Sequence, residues 1–146
     1  MIALGICNFF WVVHYIFIGT TLAAIVALLA GVRLLLSAYV TQRYLPLVIY
    51  ITLAIFLIAS VYSYQGPLSL LPVIGSTVLS LSLLRRDNTT LIRAGAGFMC
   101  LMWALHGFAT GSFIEVTANT IALIVILKAF IKYDIPQTCA RFSRAS

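Results

Sequence analysis

The chain has 146 residues, of which 63% are hydrophobic and 8% charged, and its formal net charge is +6. Soluble domains usually carry about 25% charged residues, so this composition excludes an ordinary soluble fold and indicates a helical bundle solvated by the bilayer. The positive charge would suit nucleic acid, but its distribution along the chain favours lipid headgroups instead.

Six apolar segments follow one another along the chain, each close to the length that crosses a hydrocarbon core of about 30 Å. They span residues 2–18, 21–40, 45–63, 67–84, 92–109 and 113–131. The sequence therefore predicts an all-α, polytopic transmembrane bundle over residues 1–132. A polar cytoplasmic tail is expected over residues 133–146.

The connections between these segments are of two kinds. Three are short and contain glycine, at residues 19–20, 65–67 and 110–112, and they carry no lysine or arginine. All nine lysines and arginines lie at or near the other two connections or in the tail. The positive-inside rule then places these basic loops and both termini in the cytoplasm. Arg33, inside the second segment, is expected to snorkel to the cytoplasmic interface.

A pattern of tryptophan, histidine and glycine occurs twice in the chain, ninety-two residues apart. The copies are Trp11-x-x-His14-x4-Gly19 and Trp103-x-x-His106-x4-Gly111. The recurrence predicts a parallel internal repeat. At a rise of 1.5 Å per residue, both tryptophans lie about 12 Å below the outer turns, near the midplane, and both histidines about 7–8 Å below them. Residues at i and i+3 share one helix face.

Glu115 is the only carboxylate inside a predicted span, and its depth matches that of His106 on the preceding antiparallel helix. Ionisable groups in lipid usually pair, so a His106–Glu115 pair across the hairpin is predicted. Asn119 lies one turn further along, on the same face and at the level of the tryptophans. The matching positions of the first copy are Ala23 and Ala27, so any site is expected to be asymmetric.

Each of these polar residues also has a structural interpretation. The histidines and Asn119 could hold helices together by hydrogen bonds, and the tryptophans could simply pack. Pro72 and Gly75 predict a kink in the fourth segment, which could be a gating hinge or a packing bend.

Catalytic, cofactor-binding and metal-binding patterns do not appear in the sequence. It has no phosphate-binding loop, no paired-cysteine metal motif and no nucleophile elbow. His106 and Glu115 are too few for a usual metal site, and His14 would add a third ligand only if its helix were adjacent. We therefore expect neither enzymatic activity nor a metal or cofactor.

The residues of the second copy, together with one apolar motif, resemble a known family. With Leu71-Pro72-Val73-Ile74-Gly75-Ser76, Trp103-x-x-His106, Gly111 and Glu115, the chain resembles the YgjV-type family of bacterial inner-membrane proteins. The similarity runs from the first segment through the sixth. It implies a location more than an activity, because that family has no firmly assigned function.

One departure from the family concerns the N-terminal side. Members look as though they have a further span before the region that matches Met1, so we expect one helix to be missing through a late start codon or truncation. Restoring it gives three helices, a linker helix over residues 45–63 and three more helices. That plan is similar at fold level to the SWEET and PQ-loop transporters, which carry parallel repeats around a midplane site.

The sequence thus predicts a small-solute transporter or permease of the bacterial inner membrane. Its expected substrate and proton site consists of His14, His106, Glu115, Asn119, Trp11 and Trp103, with Pro72 and Gly75 as the hinge. The alternative is a non-transporting membrane protein that assists assembly or binds a partner, in which the polar residues only join helices. The expected partners are the lipid bilayer and a small solute, and nucleic acid is not among them.

Overall fold

The computed structural model describes residues 2–85 and 87–136, and that part of the chain is all-helical, without a strand. The helices are α1 (Ile2–Phe17), α2 (Thr21–Tyr39), α3 (Leu45–Tyr62), α4 (Leu71–Ser82), α5 (Thr89–Thr110) and α6 (Phe113–Ala129). Short 3-10 segments precede and follow α4, at Pro67–Leu70 and Leu83–Arg85, and a π-helical turn, Phe130–Asp134, continues α6. These positions confirm the six predicted segments and the all-α bundle.

Five of the six helical segments have the length and composition needed to cross a membrane. They are Thr21–Tyr39, Leu45–Tyr62, Pro67–Arg85, Thr89–Thr110 and Phe113–Asp134. In the first helix, the described apolar stretch runs from Gly5 to Phe17. The protein is therefore a polytopic membrane bundle, with five full-length spans among the described residues. The internal repeat of the two halves stays a prediction.

The three glycine turns have the backbone conformation that the sequence predicts. Gly19, Gly66 and Gly111 have φ values of +74°, +106° and +71°, and no other residue of the described ranges has a positive φ. A side chain is strained in this left-handed region, so glycine permits these tight helical hairpins. At the last of them, the Ser112 side chain accepts a hydrogen bond from the backbone N–H of Glu115 and caps α6.

Pro72 lies at the start of the fourth helix rather than in its interior. Pro72 lies in the first turn of α4, directly after the 3-10 segment, where a proline removes no hydrogen bond from the helix. Gly75 does not provide slack either, because a β-carbon there would lie 2.9 Å from the Cβ of Met102. Gly75 instead allows α4 and α5 to pack closely. A hinge role for the two residues stays a prediction.

The last helix, α6 with its π-helical turn, continues past residue 133, where the sequence predicts the start of the tail. Residues 133–136 are still helical, and Asp134 is buried at the N-terminal end of α5. Its carboxylate accepts hydrogen bonds from Thr90 at 2.6 Å and from Arg93 at 2.7 Å. This ion pair anchors the last turn to α5, which a count of apolar residues does not reveal. Residues 137–146 of the predicted tail lie outside the described residues.

The close packing follows the hairpins, with α1 against α2 and α5 between α4 and α6, while α3 contacts α2 and α4. The main hydrophobic core forms where the N-terminal and C-terminal helices meet. Tyr15 of α1, Val26 of α2, Phe56 of α3 and Trp103 of α5 belong to it. Because these side chains come from helices far apart in sequence, the core joins the two halves of the chain at the level of the tryptophans.

Candidate functional site

A central cavity of about 500 Å³ lies inside the bundle and is bounded by α1, α2, α4, α5 and α6. Most of its lining is apolar, contributed by alanine, leucine, isoleucine and methionine side chains. The polar and aromatic lining residues are Asn8, Trp11, Tyr15, Ser76, Trp103 and Asn119. The structure thus brings together three residues that the sequence places at one depth, namely both tryptophans and Asn119.

The two tryptophans are joined by a ring that the sequence analysis overlooked. Tyr15 stacks on Trp11, with ring centroids 5.8 Å apart, and on Trp103, with centroids 5.2 Å apart. Tyr15 is one helical turn after Trp11, so the spacing of the two aromatic residues was the available signal. The three rings form an aromatic column that crosses from α1 to α5 along the cavity wall.

The predicted contact between His106 and Glu115 across the last hairpin is confirmed. His106 Nδ1 and Glu115 Oε1 are 3.0 Å apart, and the two side chains are 2% and 0% exposed. Gly107 makes room for the pair, because a β-carbon at that position would lie 2.9 Å from Glu115 Cβ. The second carboxyl oxygen, Oε2, is buried and makes no hydrogen bond within the described residues. The Tyr15 hydroxyl is nevertheless close enough to interact with this carboxyl group electrostatically.

The His106–Glu115 pair lies behind the cavity wall rather than on it, since neither residue lines the cavity. Tyr15 connects the two, because its ring lines the cavity and its hydroxyl faces the Glu115 carboxyl. The His106 ring also meets the Trp103 ring edge-on, with centroids 6.1 Å apart. A carboxyl and an imidazole in hydrogen-bond contact can share a proton, so the arrangement is suited to holding one next to the cavity.

His14 does not join this pair. Its Nε2 atom lies 2.9 Å from the Ser112 hydroxyl, the group that caps α6. The contact ties α1 to the turn between α5 and α6, so it matches the structural interpretation of this histidine. In the parts of the chain that are described, no group of three histidine, cysteine or acidic side chains could hold a metal ion.

Asn119 lies one turn beyond Glu115 on α6, as the sequence predicts. Its amide Nδ2 donates a hydrogen bond of 2.9 Å to the backbone carbonyl of Glu115. This local bond orients the side chain while leaving it on the cavity wall. No described contact uses Asn119 to join two helices, which leaves its amide available to a bound molecule.

The prediction that Arg33 snorkels to the interface is wrong. Its side chain is 1% exposed, and its Nη1 atom donates a hydrogen bond to the Ser80 hydroxyl of α4. Ser80 in turn donates to the backbone carbonyl of Ser76. Two atoms of this group, Arg33 Nε and Ser76 Oγ, are buried without a hydrogen-bond partner in the described structure. Hydropathy counting overlooked both serines, although their i, i+4 spacing marks one polar face of α4.

Comparison with known proteins gives one family. The sequence model of the family Imp-YgjV, described as a bacterial inner membrane protein, matches residues 1–136. No curated protein and no solved structure matches the chain.

Proposed function

The chain belongs to the Imp-YgjV family of bacterial inner membrane proteins, and we propose that it is a small-solute transporter whose substrate binds in the central cavity. The observation that carries this proposal is the cavity itself. Its volume of about 500 Å³ lies in the range of ligand pockets, about 300–1,000 Å³. A bundle that only fills a membrane would gain stability by packing this space.

The proposed roles follow from the position of each side chain. Trp11 and Trp103 offer ring faces to the solute, and Asn119 offers an amide that can donate and accept hydrogen bonds. His106 and Glu115 act as the proton-holding group, coupled to the cavity through Tyr15. A buried carboxylate costs about 2.5–3.5 kcal/mol on insertion scales, so a functional role would account for keeping Glu115 in a span.

The transport proposal is tested with the purified full chain in liposomes loaded with a defined metabolite mixture. Uptake of at least one solute is expected, and Asn119→Ala should reduce it. Thr120→Ala is the matched control, because Thr120 is exposed on the same helix and does not line the cavity. The solute should be recovered chemically unchanged, since we propose no enzymatic activity. Failure to move any solute would contradict the proposal.

Glu115→Gln separates a functional carboxyl from a structural one. The substitution keeps the size of the side chain and its ability to accept a hydrogen bond, but it cannot carry the charge. If Glu115 handles a proton, the folded protein should show altered transport with a changed dependence on pH. If the bundle instead fails to fold, Glu115 is structural.

We also propose that both termini face the cytoplasm, which the location of the basic residues supports. The test uses single cysteines in a background whose native cysteines are replaced by serine. A membrane-impermeant maleimide applied to spheroplasts should label Gln65→Cys, in a glycine turn, and should leave Thr41→Cys unlabelled. The opposite labelling pattern would reverse the topology.

A non-transporting, partner-binding protein is the second candidate, and the exposure of α6 favours it. Glu115 is the only residue that α6 fully buries, whereas α2 buries nine. Lipid tails can cover such a face, but so can another subunit. Photo-cross-linking from Val125 that captures one stoichiometric protein, without stabilisation of the chain by any solute, would favour this function over transport.

A further inference from the structure

We propose that the central cavity takes an organic carboxylate with an apolar or aromatic body, and that Arg33 and Ser76 bind its charged end. The inference rests on the proposed transport function, because it names the chemical class of the solute. It begins from a positive charge that the described part of the protein leaves without a negative partner.

Arg33 is buried within the bundle and has no carboxylate partner among the described residues. It lies fourteen residues after Gly19, about 21 Å below the outer turn, and is 1% exposed. The ion pairs within the described residues are Arg93 with Asp134 and His106 with Glu115, so neither carboxylate is left for Arg33. Its contact with the protein is the neutral Ser80 hydroxyl. A buried charge that is not paired is costly, and a bound anion would offset that cost.

Arg33 does not itself line the cavity, but residues next to it on α2 and α4 do. Ala30 and Leu34, which flank Arg33 on α2, both line the cavity. On the facing helix α4, Ser80 bonds to Arg33 and also donates to the carbonyl of Ser76, a residue that lines the cavity. Ser76 therefore connects the Arg33–Ser80 contact to the cavity wall.

Two unpaired polar atoms are found at this same wall. Arg33 Nε and Ser76 Oγ are both buried and have no hydrogen-bond partner in the described structure. The Ser76 side chain is 0% exposed, yet it lines the cavity. Both atoms are closed off from the cavity in this structure. A carboxylate accepts several hydrogen bonds, so rotation of the two side chains toward a bound one would satisfy a guanidinium N–H and the Ser76 hydroxyl together.

The remainder of the cavity favours an anion over a cation and an apolar body over a polar one. Among the described residues, no acidic side chain lines it, and the carboxyl of Glu115 is engaged by His106 behind Tyr15. Apart from the polar groups named above, the lining consists of aliphatic and aromatic side chains. In such a low-dielectric space the field of an unneutralised guanidinium is strong, and it attracts negative charge.

The competing interpretation is that Arg33 merely ties α2 to α4 through Ser80. Two serine variants separate the interpretations. Ser80→Ala removes the hydroxyl to which Arg33 is bonded, whereas Ser76→Ala removes an oxygen that has no partner in the described structure. A purely structural arginine predicts that Ser80→Ala matters and that Ser76→Ala does nothing.

The experiment measures the melting temperature of the purified full chain in detergent with matched pairs of solutes. The pairs are benzoate with benzamide, phenylacetate with phenylacetamide and hexanoate with hexanamide, and chloride and inorganic phosphate serve as small-anion probes. At least one carboxylate should raise the melting temperature while its amide does not. Ser76→Ala should weaken the affinity for that carboxylate by about tenfold.

The arginine variants complete the test. Arg33→Gln should abolish the preference for the acid over its amide, Arg33→Lys should retain part of it, and Ser80→Ala should lower the melting temperature without removing the preference. If Arg33→Gln does not fold, the comparison of acids with amides and the Ser76→Ala variant still decide the matter.

Four results would overturn the inference. Equal stabilisation by amides and acids would show that the charge is not recognised. Equal stabilisation by chloride or phosphate would show that an organic body is not required. Binding and liposomal transport of neutral solutes alone would refute the carboxylate while leaving transport intact, whereas no binding and no transport of any solute would refute both proposals.

Discussion

Removing the imidazole of His106 should destabilise the bundle far more than removing that of His14. His106 forms a fully buried pair with Glu115 at 3.0 Å, whereas His14 is half-buried and bonds to the neutral Ser112 hydroxyl. Truncating one partner of a buried ion pair typically costs about 3–5 kcal/mol, because the other charge is left uncompensated. Polar contacts between membrane helices average about 0.6 kcal/mol and reach about 1.7.

The assay is reversible unfolding in mixed micelles of a mild detergent and dodecyl sulfate, which gives the free energy of unfolding for each variant. We expect His106→Ala to lose about 3 kcal/mol or more and His14→Ala about 1 kcal/mol. The double variant His106→Ala/Glu115→Gln should regain much of the loss, because it leaves no charge behind. Equal losses for the two histidines, or additive effects in the double variant, would refute the argument that the pair is charged and coupled.

Three further predictions concern the residues around that pair. Gly107→Ala should lower the free energy of unfolding by about 1–3 kcal/mol in the same micelle titration, because its β-carbon would lie 2.9 Å from the Glu115 side chain; an unchanged value would mean that α5 and α6 can separate freely. Gly111→Ala should cost about 1–2 kcal/mol, since φ is +71° there and no neighbouring atom limits the space; a loss below the error of the titration would contradict the strain argument. Tyr15→Phe should preserve the aromatic column and the melting temperature while altering the pH dependence of transport in liposomes. An identical pH profile would show that Tyr15 does not couple the proton-holding group to the cavity.

The features predictable from the sequence are those that depend on one helix or one hairpin. Hydropathy and the three turn glycines locate the spans, because each span must satisfy its own backbone in lipid. The His106–Glu115 pair follows from counting residues on either side of Gly111, since an antiparallel hairpin fixes their relative depth. These predictions needed no knowledge of how separate hairpins pack against one another.

Contacts between helices from different hairpins could not be predicted in this way. Arg33 meets Ser80 forty-seven residues later, and Tyr15 meets Trp103 from the other half of the chain. Hydropathy treats an arginine near a helix end as a snorkelling residue, because it contains no information about the neighbouring helix. The position of Pro72 within its helix was misjudged for a local reason. A 3-10 segment precedes it, so the α-helix begins just before the proline.

The polar groups around the cavity differ in whether the protein itself neutralises them, and this difference divides their roles. Glu115 lies about 6 Å from the Gly111 turn along the helix axis and is paired with His106. The tryptophans of the aromatic column lie about 12 Å from the glycine turns. Arg33, at about 21 Å, has only a neutral hydroxyl. Ligand binding can therefore add a charge partner to Arg33 but not to Glu115. A carboxylate should raise stability through Arg33 even in Glu115→Gln, and loss of that stabilisation in the variant would show that the two levels are coupled.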